Sequence, residues 1–372
     1  MKTVKVLHIL KNIQRGGVEQ FILNQYKILS NRNLIFDLCV FGPDNNINDS
    51  YMIAQFEKRG SHIYYLPYPN KKTIDFMKAF VQLLNTESYD AVHCHQNLFS
   101  GVILPLAAYC KVPIRIAHAH TAQERKKTGV LRSFYTQLMR FSINKFSTHR
   151  LGASQAANQF VYGNYRQAEF LPNGIELTSF QVEYPHNLRK KLNLEETSIL
   201  IGHIGSFKPM KNHAYLLKVF EQIQRVTPQA HLVLVGDGKL RPIIENKVKE
   251  LNLTNTVNFL GNQSEIASLL AEFDVFLFPS IYEGLGLAVI EAQAAGIPSI
   301  ISDSLPSEID LGLGLVEREP LNNLNAWVKT VEKTIHSELP ALSVDERLER
   351  IKEMNFDNQS SAKKLLEIYE NR

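Results

Sequence analysis

Short apolar runs alternate with longer, helix-period segments along the whole chain. In the first half Val4–Ile9, Phe36–Phe41, His62–Leu66, Ala91–Cys94, Ile114–Ala117 and His149–Gly152 read as strands. In the second half Ile199–Ile204, Ala230–Val235, Val257–Leu260, Val275–Phe278 and Ser299–Ser302 do. Nearly continuous apolar runs bounded by turn residues suit strands buried on both faces. Their alternation with helical segments predicts two doubly wound α/β sheets covered by helices. At 372 residues the chain is too long for one ordinary core. The turn Pro172-Asn173-Gly174 and the polar stretch Glu176 to Asn187 mark the hinge, giving domains 1–172 and 173–356. In the last segment, Ala362, Leu365, Leu366 and Tyr369 fall on one helical face.

Ligands of doubly wound sheets lie beyond the C-terminal ends of the strands, so the loops that follow strands are where chemistry is expected. After Val275–Phe278, Pro279 and Ser280 end the strand, Gly284 and Gly286 free the backbone, and Leu287 to Ala295 reads as helix. Such a turn offers unpaired N–H groups, here of Leu285, Gly286 and Leu287, at the positive end of a helix dipole, where a diphosphate settles. Glu283 and Glu291 flank it. Were the segment between them wholly helical, they would lie about 12 Å apart at ~1.5 Å per residue, with room for a diphosphate between.

Four other loops carry similar signals. Gly16-Gly17 follows the first strand and opens a helix, allowing close backbone approach to a ligand and leaving N–H groups free for an anion. Gly205-Ser206-Phe207-Lys208 leads to Lys211, with two cations for an anionic ligand. Gly236-Asp237-Gly238 and Leu260-Gly261-Asn262 end two further strands; the former lacks the third glycine of a dinucleotide fingerprint, which disfavours a nicotinamide-dependent dehydrogenase. His93 and His95 close one strand and His118 and His120 the next. With no carboxylate or thiolate ligand nearby and no Asp-x-Asp motif, the expectation is a metal-free site.

The order and spacing of these motifs, together with Glu283 through Glu291, resemble the retaining family-4 glycosyltransferases of the GT-B fold, particularly the bacterial capsule and exopolysaccharide branch. The resemblance implies two Rossmann-like domains facing a central cleft, the C-terminal helix 357–372 packing back on the N-terminal domain, and an acceptor side and a nucleotide side in the first and second domains. It implies that Glu283, His120 and Lys211 are catalytic. Glu283 holds the donor sugar's hydroxyls, His120 bonds to the donor sugar or to developing charge, and Lys211 neutralises the departing diphosphate. It assigns donor binding to Glu291 at the ribose, to Leu285, Gly286 and Leu287, and to Gly16, Gly17, Gly205, Ser206, Lys208, Gly236 and Gly261. His93, His95 and His118 are packing or supporting histidines. Family members carry an arginine where this chain has Ser206; Lys208 is close enough to share its role but lacks a planar bidentate fork. The implied activity is metal-independent, retaining transfer from a UDP- or GDP-linked sugar to a lipid-linked saccharide, with no cofactor. An inactive nucleotide-sugar-binding subunit and a GT-B epimerase or phosphorylase remain alternatives.

Composition narrows the setting. The net charge of +4 hides an asymmetry: residues 1–172 hold 21 Lys+Arg against 10 Asp+Glu, the remainder 20 against 27. A basic first half suits an anionic partner. Thr121 to Arg150 concentrates Arg125, Lys126, Lys127, Arg132, Arg140, Lys145 and Arg150 among Phe134, Tyr135, Leu138, Phe141 and Phe146, which fits either an anionic membrane surface or a core helix with a solvated face. No recognition motif accompanies the charge, so nucleic acid is not expected. Cys39, Cys94 and Cys110 lack metal spacing and read as reduced packing residues. With no run of eighteen apolar residues and no secretory segment, the expectation is a soluble, cytoplasmic protein, peripheral at the inner membrane face.

Overall fold

The computed structural model describes residues 3–14, 16–42, 48–69, 72–121, 129–164, 166 and 168–371. The chain divides into two compact units, Met1–Gly174 with Asp357–Arg372, and Ile175–Phe356. At the crossing, a Cβ on Gly174 would collide with the backbone of Asp357 and Asn358, so glycine lets the two segments pass.

The first unit alternates β1 (Val4–Ile9), α1 (Gly17–Leu29), β2 (Leu34–Phe41), α2 (Ser50–Glu57), β3 (Ile63–Leu66), α3 (Thr73–Thr86), β4 (Ala91–Cys94), α4 (Ser100–Tyr109), β5 (Ile114–Ala119), α5 (Val130–Phe146), β6 (His149–Gly152), α6 (Gln155–Tyr162) and β7 (Glu169–Phe170). All strands are parallel, in the order β3-β2-β1-β4-β5-β6-β7. The second runs through α7 (Leu188–Lys191), β8 (Ile199–Ile204), α8 (His213–Val226), β9 (Ala230–Val235), α9 (Arg241–Glu250), β10 (Val257–Gly261), α10 (Ile266–Leu270), β11 (Val275–Phe278), α11 (Leu287–Ala295), β12 (Ser299–Ser302), β13 (Val316–Glu319), α12 (Leu324–His336) and α13 (Val344–Glu353). Its parallel sheet has the order β10-β9-β8-β11-β12-β13. Both sheets are thus Rossmann-like, each reversing its strand order at one point, between β1 and β4 and between β8 and β11. A crevice opens at such a point because the flanking loops leave to opposite faces.

Each sheet is buried on both faces. In the first unit one core joins Val6, Phe36 and Leu38 to Phe21, Tyr26 and Phe56, and another joins Leu7, Ile9 and Val92 to Phe76, Phe80 and Ile143. The last helix, α14 (Asn358–Glu370), belongs to the first unit, with Ala362, Leu365 and Tyr369 buried in the same core as α1. In the second unit Trp327, Phe220 and Leu277 share a core.

Several sequence-based boundaries need correction. His62 lies outside β3, β2 begins earlier, at Leu34, and β5 continues to Ala119. Two edge strands, β7 and β13, carry no apolar run: β13 is Val-Glu-Arg-Glu, which one-sided pairing to β12 tolerates. The segment between Glu283 and Glu291 is not wholly helical. Helix α11 starts at Leu287, and Gly286, with φ 98°, holds the left-handed conformation that turns the chain into it. The helical spacing argument therefore does not apply to Glu283.

Candidate active site

In the second unit the loops after β8 and β11 meet at the point of strand-order reversal, tied by a 2.8 Å hydrogen bond from Ile281 N–H to the Met210 carbonyl. There Lys211 Nζ lies 2.8 Å from Glu283 Oε1, the two side chains only 15% and 9% exposed. The ammonium also sits 4.4 Å from the centre of the Phe278 ring. Glu291, on α11, is the second carboxylate the lysine serves. Burial pushes its carboxyl up to about 7, and the Lys211 charge pulls it back down. Lys211 thus pairs with Glu283 and acts through its charge on Glu291.

Backbone donors stand in the same loop. Gly286 caps α11 without a side-chain cap, and the first N–H turned back is that of Val289, bonded to the Gly286 carbonyl at 2.9 Å. The N–H groups of Leu285, Gly286 and Leu287 therefore have no acceptor among the described residues and stand at the positive helix end. Three glycine loops lie side by side next to them: Gly236 N–H reaches the Gly261 carbonyl at 2.8 Å, Gly205 N–H the Val235 carbonyl at 2.9 Å, and Phe207 N–H the Asp237 carbonyl at 3.0 Å. Gly236 has φ 125°, and a Cβ there would run into the Gly205 carbonyl. A Cβ on Gly205 would press on the Lys211 stem, 3.1 Å from its Cδ, so glycine makes room for the lysine to cross the loop. Ser206 is half-buried, while Lys208 is exposed with no ion-pair partner among the described residues. The structure thus gathers Glu283, Glu291, Lys211, Leu285, Gly286, Leu287, Gly205, Ser206, Lys208, Gly236 and Gly261 at one end of one sheet.

Sequence reasoning missed what lies beneath. His203 is fully buried and donates from Nδ1 to the Leu277 carbonyl at 2.8 Å. His213 stacks on Phe207 with ring centres 4.1 Å apart. Burial, with Lys211 nearby, lowers the His213 pKa to about 4 and that of His203 well below its usual value. The Ser280 hydroxyl is buried without a hydrogen-bond partner among the described residues. His203 sits at the end of a strand read as purely apolar, two residues before Gly205, and that position was the available signal.

In the first unit Gly16 caps α1 and Gly17 begins it, at the reversal point between β1 and β4. Asn173 Nδ2 donates to the Gly17 carbonyl at 3.1 Å, joining two motifs far apart in sequence. His120 follows β5, its N–H directed at Asn97 Oδ1 at 3.3 Å. The four sequence-predicted histidines are all buried, and a fifth, His8 of β1, joins them. His8 stands beside His93 in the register between β1 and β4, a tertiary relation that a one-dimensional pattern does not display.

The rings form two hydrogen-bonded chains. One runs from the Tyr369 hydroxyl to His93 Nδ1 at 2.7 Å, from His93 Nε2 to His118 Nδ1 at 3.2 Å, and from His118 Nε2 to the Leu171 carbonyl at 3.1 Å. The other joins His8 Nδ1 to His95 Nε2 at 3.0 Å and His95 Nδ1 to His120 Nε2 at 2.8 Å. Burial lowers every one of these pKa values, His8 to about 3, His118 to about 4, and His93, His95 and His120 well below the usual range. All five rings are neutral near pH 7. Ring nitrogens of His8, His93 and His95, and of His95, His118 and His120, lie within 4.8 Å of one another, compact enough for a metal ion, but most already bond to each other. Cys39 and Cys94 are buried free thiols, pushed up by burial (Cys94 to about 12), which suits packing rather than nucleophilic attack.

Comparison with known proteins matches both halves of the chain. Residues 15–179 fit the family model Glycosyltransferase Family 4, and residues 186–349 fit that of Glycosyl transferases group 1. The putative glycosyltransferase EpsF of Bacillus subtilis is 31% identical over 98% of this chain and 96% of its own length. The chain belongs to the family-4 glycosyltransferases. Another relative, the Escherichia coli UDP-Gal:alpha-D-GlcNAc-diphosphoundecaprenol alpha-1,3-galactosyltransferase, is 28% identical over 81% of this chain and 79% of its own length. Among solved structures, Anabaena HepE in complex with UDP superposes with a TM-score of 0.75, at 18% identity over 98% of this chain and 99% of its own. That likeness concerns the fold, which is GT-B, with two Rossmann-like units.

Proposed function

We propose that this glycosyltransferase moves a sugar from a UDP-linked donor to a lipid-linked saccharide in surface polysaccharide synthesis, with retention at the anomeric carbon and without a metal ion. The observation that carries the reading is the cluster of Lys211, Glu283 and Glu291 beside the uncapped N-terminus of α11. The N–H groups of Leu285, Gly286 and Leu287, with Lys211, stabilise the charge that grows on the diphosphate as its bond to the anomeric carbon breaks. Glu283 accepts from the sugar hydroxyls and Glu291 from the ribose, with the loops of Gly205, Gly236 and Gly261 alongside. The acceptor oxygen bonds to the anomeric carbon from the face the leaving group vacates, and its proton passes to the departing phosphate, so no protein nucleophile is needed. By the same reading His120 hydrogen-bonds to a sugar or to developing charge, and the backbone of the Gly16-Gly17 loop faces a phosphate or the acceptor. A UDP-linked donor is supported by the galactosyltransferase relative and by HepE, crystallised with UDP; the former also supports a lipid-linked acceptor.

The test is a transfer assay with UDP-sugars and a diphospholipid-linked saccharide. Activity is expected to survive EDTA, because a lysine and a helix end supply the charge a metal would otherwise bring. Glu283→Gln is expected to cost at least tenfold in kcat, about the worth of one charged hydrogen bond. Loss on chelation with rescue by a divalent ion overturns the metal-free mechanism, and parental turnover in Glu283→Gln overturns the site. Ser206, in place of the family arginine, favours a second reading, a nucleotide-sugar-binding subunit without turnover; nucleotide binding with neither transfer nor donor hydrolysis would establish it.

The setting at the membrane rests on α5. Val130 and Leu131 are 87% exposed, Phe134 69%, Leu138 48% and Phe141 63%. At about 100° per residue these fall on one face, opposite the buried Met139 and Ile143. Lys145, exposed, shares the outward side, and the expected contributors Arg125, Lys126 and Lys127 lie outside the described residues. Exposed rings and aliphatic groups beside a cation match an interfacial helix. Binding to anionic vesicles is expected to exceed binding to neutral ones, to weaken with salt as the Debye length falls below about 8 Å, and to drop at least fivefold, roughly 1 kcal/mol, in Phe134→Ser with Phe141→Ser. Equal binding to both vesicle types returns α5 to a merely solvated helix.

A further inference from the structure

The two histidine chains of the first unit differ in how their protons are fixed. In the chain that ends at Leu171, the carbonyl can only accept, so His118 carries its proton on Nε2. His118 Nδ1 then accepts from His93 Nε2–H, and His93 Nδ1 accepts from the Tyr369 hydroxyl. One carbonyl determines every tautomer along that chain.

No carbonyl anchors the other chain. Its outer nitrogens, His8 Nε2 and His120 Nδ1, are buried without a hydrogen-bond partner among the described residues, while the inner four pair at 3.0 and 2.8 Å. A neutral imidazole has one N–H and one lone pair. Only two arrangements therefore keep both inner hydrogen bonds: all three protons on Nδ1, or all three on Nε2. The second buries an N–H of His8 with no acceptor beyond the face of Phe36, whose ring centre lies 4.5 Å from that of His8, and an N–H···π contact is a weak substitute. The first leaves a lone pair at that end and puts the unpaired N–H on His120 Nδ1 instead, so each arrangement has one orphaned donor. Orphaned buried donors are costlier than under-used acceptors, and the two ends differ in access: His8 is 1% exposed, whereas His120 follows β5 and is 8% exposed, so only its N–H can be met by an oxygen of a bound sugar. That polarises the chain from His8 toward His120.

We propose that His95, itself oriented by His8, is a positioning residue for His120: it donates Nδ1–H to His120 Nε2 and so holds the outer nitrogen, Nδ1, as an N–H donor for the reacting sugar. This rests on the assignment of His120 to the reaction centre made above. It specifies what His120 offers: a hydrogen-bond donor to a sugar oxygen or to developing negative charge, and not a base. It also gives a use to His8, which no sequence motif singled out.

The test is the tautomeric state, read by ¹⁵N–¹H correlation spectra of the full chain labelled at histidine, with His120 assigned from the His120→Ala spectrum. The parent is expected to carry its protons on Nδ1 of His8, His95 and His120. His95→Phe, which removes the donor, is expected to leave His120 as a mixture of tautomers and to lower kcat about tenfold on whichever UDP-sugar is turned over, with KM little changed. His95→Gln, whose amide can donate in the same place, is expected to retain both the single tautomer and most of the rate. A parent spectrum with His120 protonated on Nε2 overturns the proposal even should His95→Phe fail to fold. So does a folded His95→Phe with the parent's tautomer and rate, or a metal-shifted histidine spectrum that reverts on EDTA. The two assignments fail separately: if His120→Ala turns over at the parental rate while the tautomers behave as expected, the chain stands and the catalytic role of His120 falls.

Discussion

Lys211→Ala is expected to weaken binding of UDP about 100-fold, roughly 2.8 kcal/mol at about 1.4 kcal/mol per decade. Three effects act in the same direction. The variant loses the cation matched to the diphosphate, a charge-assisted contact worth about 1.5–3 kcal/mol. It leaves Glu283, 9% exposed, without its partner at 2.8 Å, so a buried negative charge faces an incoming anion. It also removes the pull that holds down the carboxyl of Glu291, so less of that residue is ionised to accept from the ribose. Lys208→Ala is expected to change affinity by less than about threefold, since an exposed, unpaired lysine acts through water. Ser206→Arg is expected to tighten it, because a guanidinium restores a bidentate phosphate contact. Calorimetric titration of UDP into the parent and the three variants decides among these outcomes. Parental affinity in Lys211→Ala together with loss in Lys208→Ala would move the diphosphate to Lys208, and indifference to both would remove the Gly205 loop from the donor site.

The residues behind that prediction were individually legible, and their relations were not. Glu283, Glu291 and the glycines stand in one strand-loop-helix segment whose pattern is local, so β11, the loop and α11 could be read directly. The Lys211–Glu283 ion pair joins loops from two strands that become neighbours only when the sheet reverses its order between β8 and β11. Likewise His8 lies in an apolar first strand where a histidine looks incidental, and it gains meaning only from its register beside His93. The strands buried on both faces announce themselves by apolar runs. Edge strands such as β13 do not, because charge on an edge is tolerated and discourages further pairing. The ~12 Å separation applied only to a wholly helical segment: the helix begins at Leu287, where the glycine pattern put it, and Glu283 lies in the turn before it, so helical rise does not set its distance from Glu291.

Acid is expected to unfold the first unit before the second. Five histidines buried in the first unit, His8, His93, His95, His118 and His120, have pKa values lowered by burial, against two in the second, His203 and His213. A base whose pKa falls on folding binds more protons unfolded than folded at any pH between the two values, so stability rises with pH across that window. The contribution is complete above the unfolded value of 6.5 and is lost as pH falls from there toward about 3 for His8 and about 4 for His118. Each such histidine costs about 1.4 kcal/mol per pH unit within the window. At pH 5.5 the five together remove roughly 7 kcal/mol, comparable to the whole stability of an ordinary domain, while the two of the second unit remove roughly 3 kcal/mol. Scanning calorimetry at pH 7.5 and pH 5.5 should therefore show a transition of the first unit that moves down far more than that of the second. Hydrogen exchange at pH 5.5 should show early loss of protection in β1, β4 and β5. Equal shifts of both units, or full protection of those three strands, would mean that the five rings accept protons in place and that the neutral hydrogen-bonded chains do not describe the folded protein.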